Sequence, residues 1–199
     1  MCRIDRAYGG VSDEPWPPYC CVAAFVNASL RELGHPVLPR PLLARELGTR
    51  VGPAADNPWA LPVEENADLR GVRPEGAVAL LPAVFEHHAL ALDFRHVPFA
   101  RVTLRLYDDF LDNVSQRGCV AGLGFDYSFL SKSQDVHRHV VRVEPGEGTE
   151  SLVLLDDTFG SPPMRREVRW AAMERVVLSV GDGFWIIGPV ASLAIDLGQ

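Results

Sequence analysis

The chain has 199 residues, of which 47% are hydrophobic and 23% charged, a composition typical of a globular domain with a sizeable core. Its formal net charge of −7 and the lack of a Lys/Arg-rich run argue against a nucleic-acid partner. No apolar run approaches the ~20 residues that span a bilayer, and none begins the chain as a signal peptide. Four cysteines are too few for a disulfide framework. We therefore expect one cytoplasmic domain over residues 1–199.

The first predicted helix begins at a pair of cysteines. After Pro17 and Pro18, the segment CVAAFVNASLRELG carries apolar residues at helical spacing and ends at Gly34, a residue typical of helix C-termini. A helix usually starts with Ser, Thr, Asp or Asn, which bonds the free backbone N–H groups, but Cys20 and Cys21 stand there instead. Departures from local rules of this kind are expected at functional sites.

Further helical segments follow before the predicted sheet. Residues 42–50 predict a short helix, and apolar residues at helical spacing predict two longer helices over 77–92 and 104–116. Residues 52–75 are rich in Pro, Gly, Asn and acidic residues, so we expect an exposed excursion there. Residues 93–106 alternate weakly and could contain a strand.

Four strand candidates dominate the C-terminal part of the chain. They lie at 119–127, 137–143, 152–155 and 184–190. A short helix is predicted around 170–175, before the last strand. Helices followed by strands favour an α+β fold with a mostly antiparallel sheet, which here gives a helical part over about 1–116 and a sheet part over about 117–199.

A cysteine at a helix start is a candidate nucleophile. The helix dipole and the free N–H groups favour a thiolate there, although a small buried cysteine can also be simple core filler. A nucleophilic cysteine needs a base, and the base needs a group that orients it. The predicted hairpin formed by HRHVVRV and SLVLLDD offers both residue types.

His139 and Asp156 are the candidates in that hairpin. His139 shares one strand face with Val141 and Val143, so its side chain is expected to point toward the core. If Val143 pairs with Leu152, antiparallel register places His139 directly opposite Asp156, with Cβ atoms ~5 Å apart. A register shift of one residue would place a neighbour of Asp156 opposite His139 instead. A structural hydrogen bond or a surface pair is the alternative interpretation.

The order and spacing of these residues resemble the papain-like cysteine peptidase superfamily, and within it the bacteriocin-processing branch, the double-glycine leader peptidases. In that branch a glycine follows the nucleophile by thirteen positions, so counting back from Gly34 selects Cys21 over Cys20. His139 with the two valines after it resembles the family's histidine motif, and Asp156 in LLDD resembles its Asp-Pro motif. The resemblance implies a papain-like fold and a Cys21–His139–Asp156 triad that acts through an acyl-enzyme on Cys21.

Several positions differ from the family pattern. The glutamine that supplies the family's oxyanion donor is missing from SDEPWPPY, so a second donor must come from elsewhere in the N-terminal segment. We expect an aromatic side chain of this segment to approach the Cys21 sulfur, and we expect Asp13 and Glu14 to turn away from it. The candidates for oxyanion or substrate contacts are Trp16, Tyr19 and Asp157.

Three functions fit this pattern. The resemblance implies a cysteine hydrolase or peptidase. An acyltransferase, or an amide-forming or amide-cleaving enzyme of a bacterial specialised-metabolite pathway, would use the same acyl-enzyme with another acceptor. A non-catalytic homologue would only bind peptides. The expected partner is accordingly a peptide or an acyl thioester, which a carrier protein could present.

No cofactor and no metal are expected. Side chains of metal-ligating type occur at Cys20, Cys21, His87, His88, His137 and His139. None of them forms a C-x-x-C or H-E-x-x-H pattern, and adjacent cysteines rarely bind one metal together. A serine nucleophile is not favoured either, because the chain has no G-x-S-x-G motif.

Overall fold

The computed structural model describes residues 14–53, 59–101, 107–131, 138–148, 150–160 and 162–193. Within these residues the chain folds into seven α-helices and one six-stranded antiparallel sheet, which confirms the predicted α+β class. In the same ranges, no helix combines the length and the apolar character needed to cross a membrane.

The elements alternate along the chain. The helices are α1 (Cys21–Glu32), α2 (Arg40–Glu46), α3 (Pro74–His87), α4 (Tyr107–Gln116), α5 (Ser128–Ser131), α6 (Trp170–Leu178) and α7 (Val190–Leu193). The strands are β1 (Leu92–Pro98), β2 (Val120–Asp126), β3 (Arg138–Pro145), β4 (Ser151–Asp156), β5 (Met164–Arg169) and β6 (Gly183–Pro189). Short 3-10 helices span Ala67–Leu69, Phe99–Arg101 and Asp157–Phe159. The strand order across the sheet is β1-β6-β2-β3-β4-β5.

Most of these elements were expected, but the edge strand β5 and the short helices α5 and α7 were not. The five predicted helical segments correspond to α1, α2, α3, α4 and α6, and the four strand candidates to β2, β3, β4 and β6; residues 104–106 lie outside the described ranges. β1 falls in the part expected to be helical, where a strand was allowed for, and it forms one edge of the sheet. β5, with the sequence MRREVR, forms the other edge and was missed, because almost all of its side chains are exposed and no apolar alternation marks it.

Helices cover both faces of the sheet. On one face, α1, α2 and α3 pack against side chains that include Phe94, Val140 and Trp185. On the other face, α4 and α6 pack against side chains that include Leu123 and Val141. Val140 and Val141 are neighbours in β3 and are both buried, so this strand lies in the interior of the molecule with core on each side.

α1 is buried over most of its length. Every residue from Val22 to Leu30 is buried. Phe25 lies over Gly122 of β2, where a Cβ atom would come within 2.6 Å of the ring, so this close approach requires glycine. The buried amide of Asn27 donates to the carbonyl of Leu38 and accepts from its N–H, both at 2.9 Å. These contacts hold the helix, and the cysteines at its start, in one position against the sheet.

The register between β3 and β4 differs from the predicted one by two residues. Val143 pairs with Leu154 and not with Leu152. Both strands continue into the segment EPGEGTES, where the N–H of Gly146 donates to the carbonyl of Ser151 at 3.0 Å, so the connecting loop is shorter than expected. The predicted register is therefore wrong, but a shift by an even number of residues leaves every side chain on its predicted face.

The segment 52–75 is only partly exposed, and its residues 54–58 lie outside the described ranges. Residues 65–69 are exposed, as expected. Leu61, however, is only 4% exposed and belongs to the core around α1. An isolated bridge between Val51 and Val63 holds this part of the segment against the domain. The expectation of an exposed excursion is therefore wrong for Leu61, because local polarity does not reveal a single apolar anchor.

Candidate active site

The two cysteines at the start of α1 have different surroundings. Cys21 is the first residue of the helix and is partly exposed, whereas Cys20 is only 1% exposed. Burial and the neighbouring Cys21 raise the pKa of the Cys20 thiol to about 12, and Arg40 opposes the rise only in part. Cys20 is therefore a neutral thiol at physiological pH, and Cys21 is the cysteine that a substrate can reach.

The start of α1 is left without a side-chain cap. Cys20 occupies the cap position and forms no capping hydrogen bond, and the first N–H groups of a helix have no partner within it. Tyr19, just before, has a φ of 68°, a conformation that is uncommon for residues other than glycine. Uncapped N–H groups beside a thiol can stabilise negative charge on the sulfur or on a bound oxyanion. This gives a physical reason for cysteines where a capping residue is usual.

His139 lies between Asp156 and Cys21. Its Nε2 atom is 2.8 Å from Oδ2 of Asp156, and the Cys21 side chain lies near enough to help raise the pKa of the ring, which leaves Nδ1 as the remaining nitrogen. The rings of Tyr127 and Phe125 pack against the imidazole, with centroids 4.5 and 6.1 Å away. Only 13% of the His139 side chain is exposed, so its orientation is set by these contacts.

The pKa values of His139 and Asp156 move apart. Burial alone lowers the pKa of His139, but the hydrogen bonds and charges of Asp156 and Cys21 outweigh it and raise the pKa to about 10. Burial alone raises the pKa of Asp156, but hydrogen bonds from His139 and Thr158 lower it below its usual range. At neutral pH the two groups are therefore an imidazolium and a carboxylate.

Both carboxylate oxygens of Asp156 are engaged. Oδ2 contacts His139, and Oδ1 accepts hydrogen bonds from the backbone N–H of Thr158 at 3.0 Å and from its hydroxyl at 2.5 Å. Asp156 thereby caps the 3-10 helix that follows β4. The sequence prediction did not include Thr158, although an Asp followed two residues later by a Thr or Ser is a recognisable signal for this kind of turn.

His139 and Asp156 meet diagonally across the two strands. Continued to the end of β4, the observed register places Asp156 opposite Val141, two residues from His139 along β3. Side chains two residues apart lie on the same face, and the length of the imidazole bridges the diagonal. The predicted hydrogen bond between the two residues is confirmed, while their predicted direct opposition is wrong.

Asp157 turns to the opposite side from Asp156 and binds an arginine. Its carboxylate accepts hydrogen bonds from Nε and Nη2 of Arg142 at 2.8 and 2.9 Å. Nη1 of the same arginine is 2.5 Å from Oε2 of Glu32 at the end of α1. This ion-pair cluster ties α1 to β3 and to the turn after Asp156. Contact between Asp157 and a substrate stays a prediction, since the described partner of its carboxylate is Arg142.

The segment before α1 is tied to the turn after Asp156. The N–H of Trp16 donates to the carbonyl of Thr158 at 2.8 Å. The Trp16 ring packs against the guanidinium of Arg40, 4.4 Å from the ring centroid, and against the ring of Trp59 at 5.8 Å. In the part of the chain that the structure describes, the indole N–H of Trp16 forms no hydrogen bond. Trp16 is therefore attached to this turn through its backbone, while its ring packs against Arg40 and Trp59.

The other residues expected near the sulfur are distributed differently. The hydroxyl of Tyr19 accepts a hydrogen bond from Nη1 of Arg70 at 3.2 Å. Glu14 is exposed, and Asp13 lies outside the described residues. The approach of Trp16 or Tyr19 to the sulfur of the candidate nucleophile stays a prediction, and the unused indole donor favours Trp16.

Apolar side chains and one cation border the triad. Phe159 is 50% exposed, and Met164, which pairs with Asp156, is 39% exposed. Arg166 lies on the same face of β5 as Met164. Burial and the Asp156 charge raise the pKa of Tyr127, and Arg166 lies near enough to oppose that rise.

The remaining side chains of metal-ligating type lie elsewhere. His87 and His88 contact Glu46, and no other described residues form a comparable cluster of possible ligands. His137 lies outside the described ranges. The structure thus brings Cys21 and His139 together with Asp156, and it places His87 and His88, at the end of α3 and directly after it, in a separate cluster.

The chemistry of the site must be inferred from its own geometry, because a scan against protein-family models and a search of curated proteins both find no match. A thiol at a helix start, a base held as an imidazolium and a carboxylate that orients the base are the components of nucleophilic acyl transfer. The arrangement can form a covalent thioester between Cys21 and a carbonyl substrate.

Proposed function

We propose that this chain is a cysteine hydrolase of the papain-like type, with Cys21, His139 and Asp156 as its catalytic triad. The observation that carries the proposal is the position of the His139 ring, 2.8 Å from Asp156 and near enough to Cys21 for that side chain to raise the His139 pKa. The arrangement of a nucleophile at a helix start, with the base and its orienting group on neighbouring strands, supports the same conclusion.

In the first step the thiolate of Cys21 attacks the carbonyl carbon of the substrate. A sulfur–carbon bond forms, and the carbonyl electron pair moves to the oxygen, where the backbone N–H of Cys21 donates to the developing charge. His139 then gives its Nδ1 proton to the leaving nitrogen or sulfur as the bond to the carbonyl carbon breaks. An amine or a thiol leaves, and the acyl group remains on Cys21 as a thioester.

In the second step water attacks the same carbonyl carbon. His139, now neutral, takes a proton from the water, and a second tetrahedral oxyanion forms. The sulfur–carbon bond then breaks, which releases the carboxylic acid and restores the thiolate next to an imidazolium. If an amine takes the place of water, the same step produces an amide and the enzyme is an acyltransferase.

Asp156 orients the base throughout both steps. It accepts a hydrogen bond from Nε2–H of His139 and so leaves Nδ1 for the sulfur and the leaving group. Because the pKa of Asp156 is lowered, the carboxylate stays ionised and stabilises the imidazolium electrostatically. Its own position is fixed by Thr158, which occupies the other oxygen.

Trapping of the acyl-enzyme tests this proposal. The protein is incubated with a panel of peptides and acyl thioesters, quenched in acid and measured by intact-protein mass spectrometry. We expect a mass increase equal to the acyl group, located on Cys21 by peptide mapping. The adduct should decay to the free acid in buffer, or to an amide where a suitable amine is supplied.

Two cysteine variants provide the controls. Cys21→Ala should abolish the adduct, whereas Cys20→Ala, which removes the buried neighbouring thiol, should retain it. An adduct that persists in Cys21→Ala would contradict the assignment of the nucleophile. Saturable peptide binding without an adduct or turnover anywhere in the panel would contradict the hydrolase and support a peptide-binding role.

A further inference from the structure

Glu46, His87 and His88 form a cluster that shares no residue with the proposed triad. Glu46 is the last residue of α2, His87 is the last residue of α3, and His88 follows it. Oε1 of Glu46 is 3.0 Å from Nδ1 of His87, and Oε2 is 2.8 Å from Nε2 of His88. The two imidazole rings lie 4.8 Å apart with a tilt of 30°. One possible ligand atom from each side chain thus falls within a region no more than 4.8 Å across.

Packing positions two of these side chains and leaves the third open to solvent. The side chains of Glu46 and His88 are 17% and 18% exposed, whereas that of His87 is 71% exposed. The backbone after α3 is also fixed, because the N–H of Leu90 donates to the carbonyl of Phe85 at 2.9 Å. The cluster therefore combines a preorganised interior side with an open side at which solvent can complete a coordination shell.

We propose that Glu46, His87 and His88 bind a divalent transition-metal ion, of which Zn²⁺ is the best match, and that the ion joins α2 to α3. Imidazole nitrogens and carboxylate oxygens are established zinc ligands, and waters can complete a four-coordinate shell. Zinc bonds of about 2.0–2.2 Å place neighbouring ligand atoms about 3.0–3.5 Å apart, and one ligand atom from each of the three side chains already lies within 4.8 Å of the others, so small side-chain shifts bring the three to that spacing.

The charge and the protonation of the cluster also fit a dication. One carboxylate and two neutral imidazoles carry a single negative charge, which a divalent ion offsets. Without an ion, Nε2 of His88 is in hydrogen-bonding contact with Oε2 of Glu46, and Nδ1 of His87 lies within ion-pair distance of Oε1. When an ion binds, each coordinating nitrogen must carry no proton; the proton moves to the other ring nitrogen or to solvent, so no oxidant or further reactant is needed.

Direct metal titration tests this proposal. Tag-free, chelator-treated protein is titrated with Zn²⁺ by calorimetry and with Co²⁺ by absorption spectroscopy. We expect one ion per chain, d–d bands of nitrogen and oxygen coordination, and no thiolate-to-cobalt charge-transfer band. The last point separates this cluster from an ion held by Cys21. Saturating Zn²⁺ should also raise the thermal unfolding temperature, since the ion binds the folded state.

Matched histidine variants make the test specific. His87→Ala removes an exposed ligand without disturbing the core, Glu46→Gln keeps the side-chain volume, and His35→Ala removes a histidine in the loop after α1. We expect the first two to weaken Zn²⁺ binding by at least about tenfold and His35→Ala to leave it unchanged. Equal affinity in His87→Ala and the parent protein, thiolate absorption with Co²⁺, or the lack of stoichiometric binding would each overturn the proposal. Because the triad is not involved, each of these outcomes leaves the proposed hydrolase untouched.

Discussion

Nε2 of His139 lies 2.8 Å from Oδ2 of Asp156, although the two residues stand diagonally across β3 and β4. The side chains are 13% and 2% exposed, so an imidazolium and a carboxylate are held largely out of water. Strongly shifted pKa values in a specific charged pair are typical of functional sites. Here Cys21 also contributes to the raised pKa of the same imidazole, which is why the pair belongs to the proposed triad.

Removing the carboxylate is expected to impair the base. Asp156→Ala should lower kcat by at least about 100-fold, because His139 loses both its orientation and its charge stabilisation. Asp156→Asn, which keeps an acceptor oxygen, should lose less. In both variants the pKa of His139 should fall from about 10 toward its ordinary value of 6.5, which NMR titration of the imidazole measures. His137→Ala serves as a control that should leave most of the activity, and a loss as large as that of Asp156→Ala would contradict the assignment.

The ion pair between His139 and Asp156 should give stability a defined pH window. The pKa of His139 is raised from 6.5 to about 10. The stabilisation that this group gives the folded state is therefore complete below pH 6.5 and is lost as pH rises through about 10. The pKa of Asp156 is lowered from 3.8, so its contribution is present above that pH and is lost as pH falls through the lowered value. Between these limits, His139→Ala should reduce the free energy of unfolding by about 1.5–3 kcal/mol. Urea denaturation from pH 4 to 11 measures this, and a difference between the two proteins that does not shrink above pH 10 would contradict the pairing.

Alkylation should distinguish the two neighbouring cysteines. Iodoacetamide at neutral pH should modify Cys21 first, because it is partly exposed and lies beside an imidazolium. Cys20 is buried and its pKa is about 12, so it should react only when the protein unfolds. Peptide mapping over a time course measures both rates. Faster modification of Cys20 in the folded protein would reverse the assignment of the nucleophile.

The arginine that connects α1 to the sheet should matter for stability. Arg142→Met leaves the largely buried carboxylate of Asp157 without its partner, and we expect a loss of about 3 kcal/mol in the free energy of unfolding. Arg138→Met is the matched control, because Arg138 lies on the same face of β3 and is exposed, so its removal should change stability by less than about 0.5 kcal/mol. Chemical denaturation compares the two variants. Equal stabilities would show that the ion-pair cluster does not hold α1 in place.

The second oxyanion donor should come from Trp16 and not from Tyr19. The indole N–H of Trp16 forms no hydrogen bond in the described part of the chain, whereas the hydroxyl of Tyr19 is bonded to Arg70. Trp16→Phe should lower kcat by about 100-fold with little change in KM, as loss of such a donor typically does. Tyr19→Phe should cost less than about tenfold. Full activity in Trp16→Phe would place the donor on the backbone.

In the β3–β4 hairpin, the predicted strand faces are correct and the predicted register is wrong. Alternation along HRHVVRV predicted the face of His139. The structure contains the predicted hydrogen bond to Asp156, although the predicted register differs from the observed one by two residues. The pattern tolerates such an error because strand faces repeat every two residues. The alternation pattern could not predict how far β3 and β4 continue into the polar turn, because that depends on backbone pairing around Ser151. β5 was not predicted, because an exposed edge strand carries no apolar alternation.

Local chemistry in the sequence determined most of the element types, the uncapped start of α1 and the inward face of His139, because these depend on residues close together in the chain. Only the tertiary structure decided that Cys20 is buried and that Cys21 lies near His139. It also decided that Arg142 connects Glu32 with Asp157. Finally, it brought Glu46 to two histidines that stand more than forty positions later in the chain. Those contacts join segments that no local pattern relates. They arise from the packing of helices on both faces of the sheet, which fixes side chains from distant segments within a few ångströms of one another.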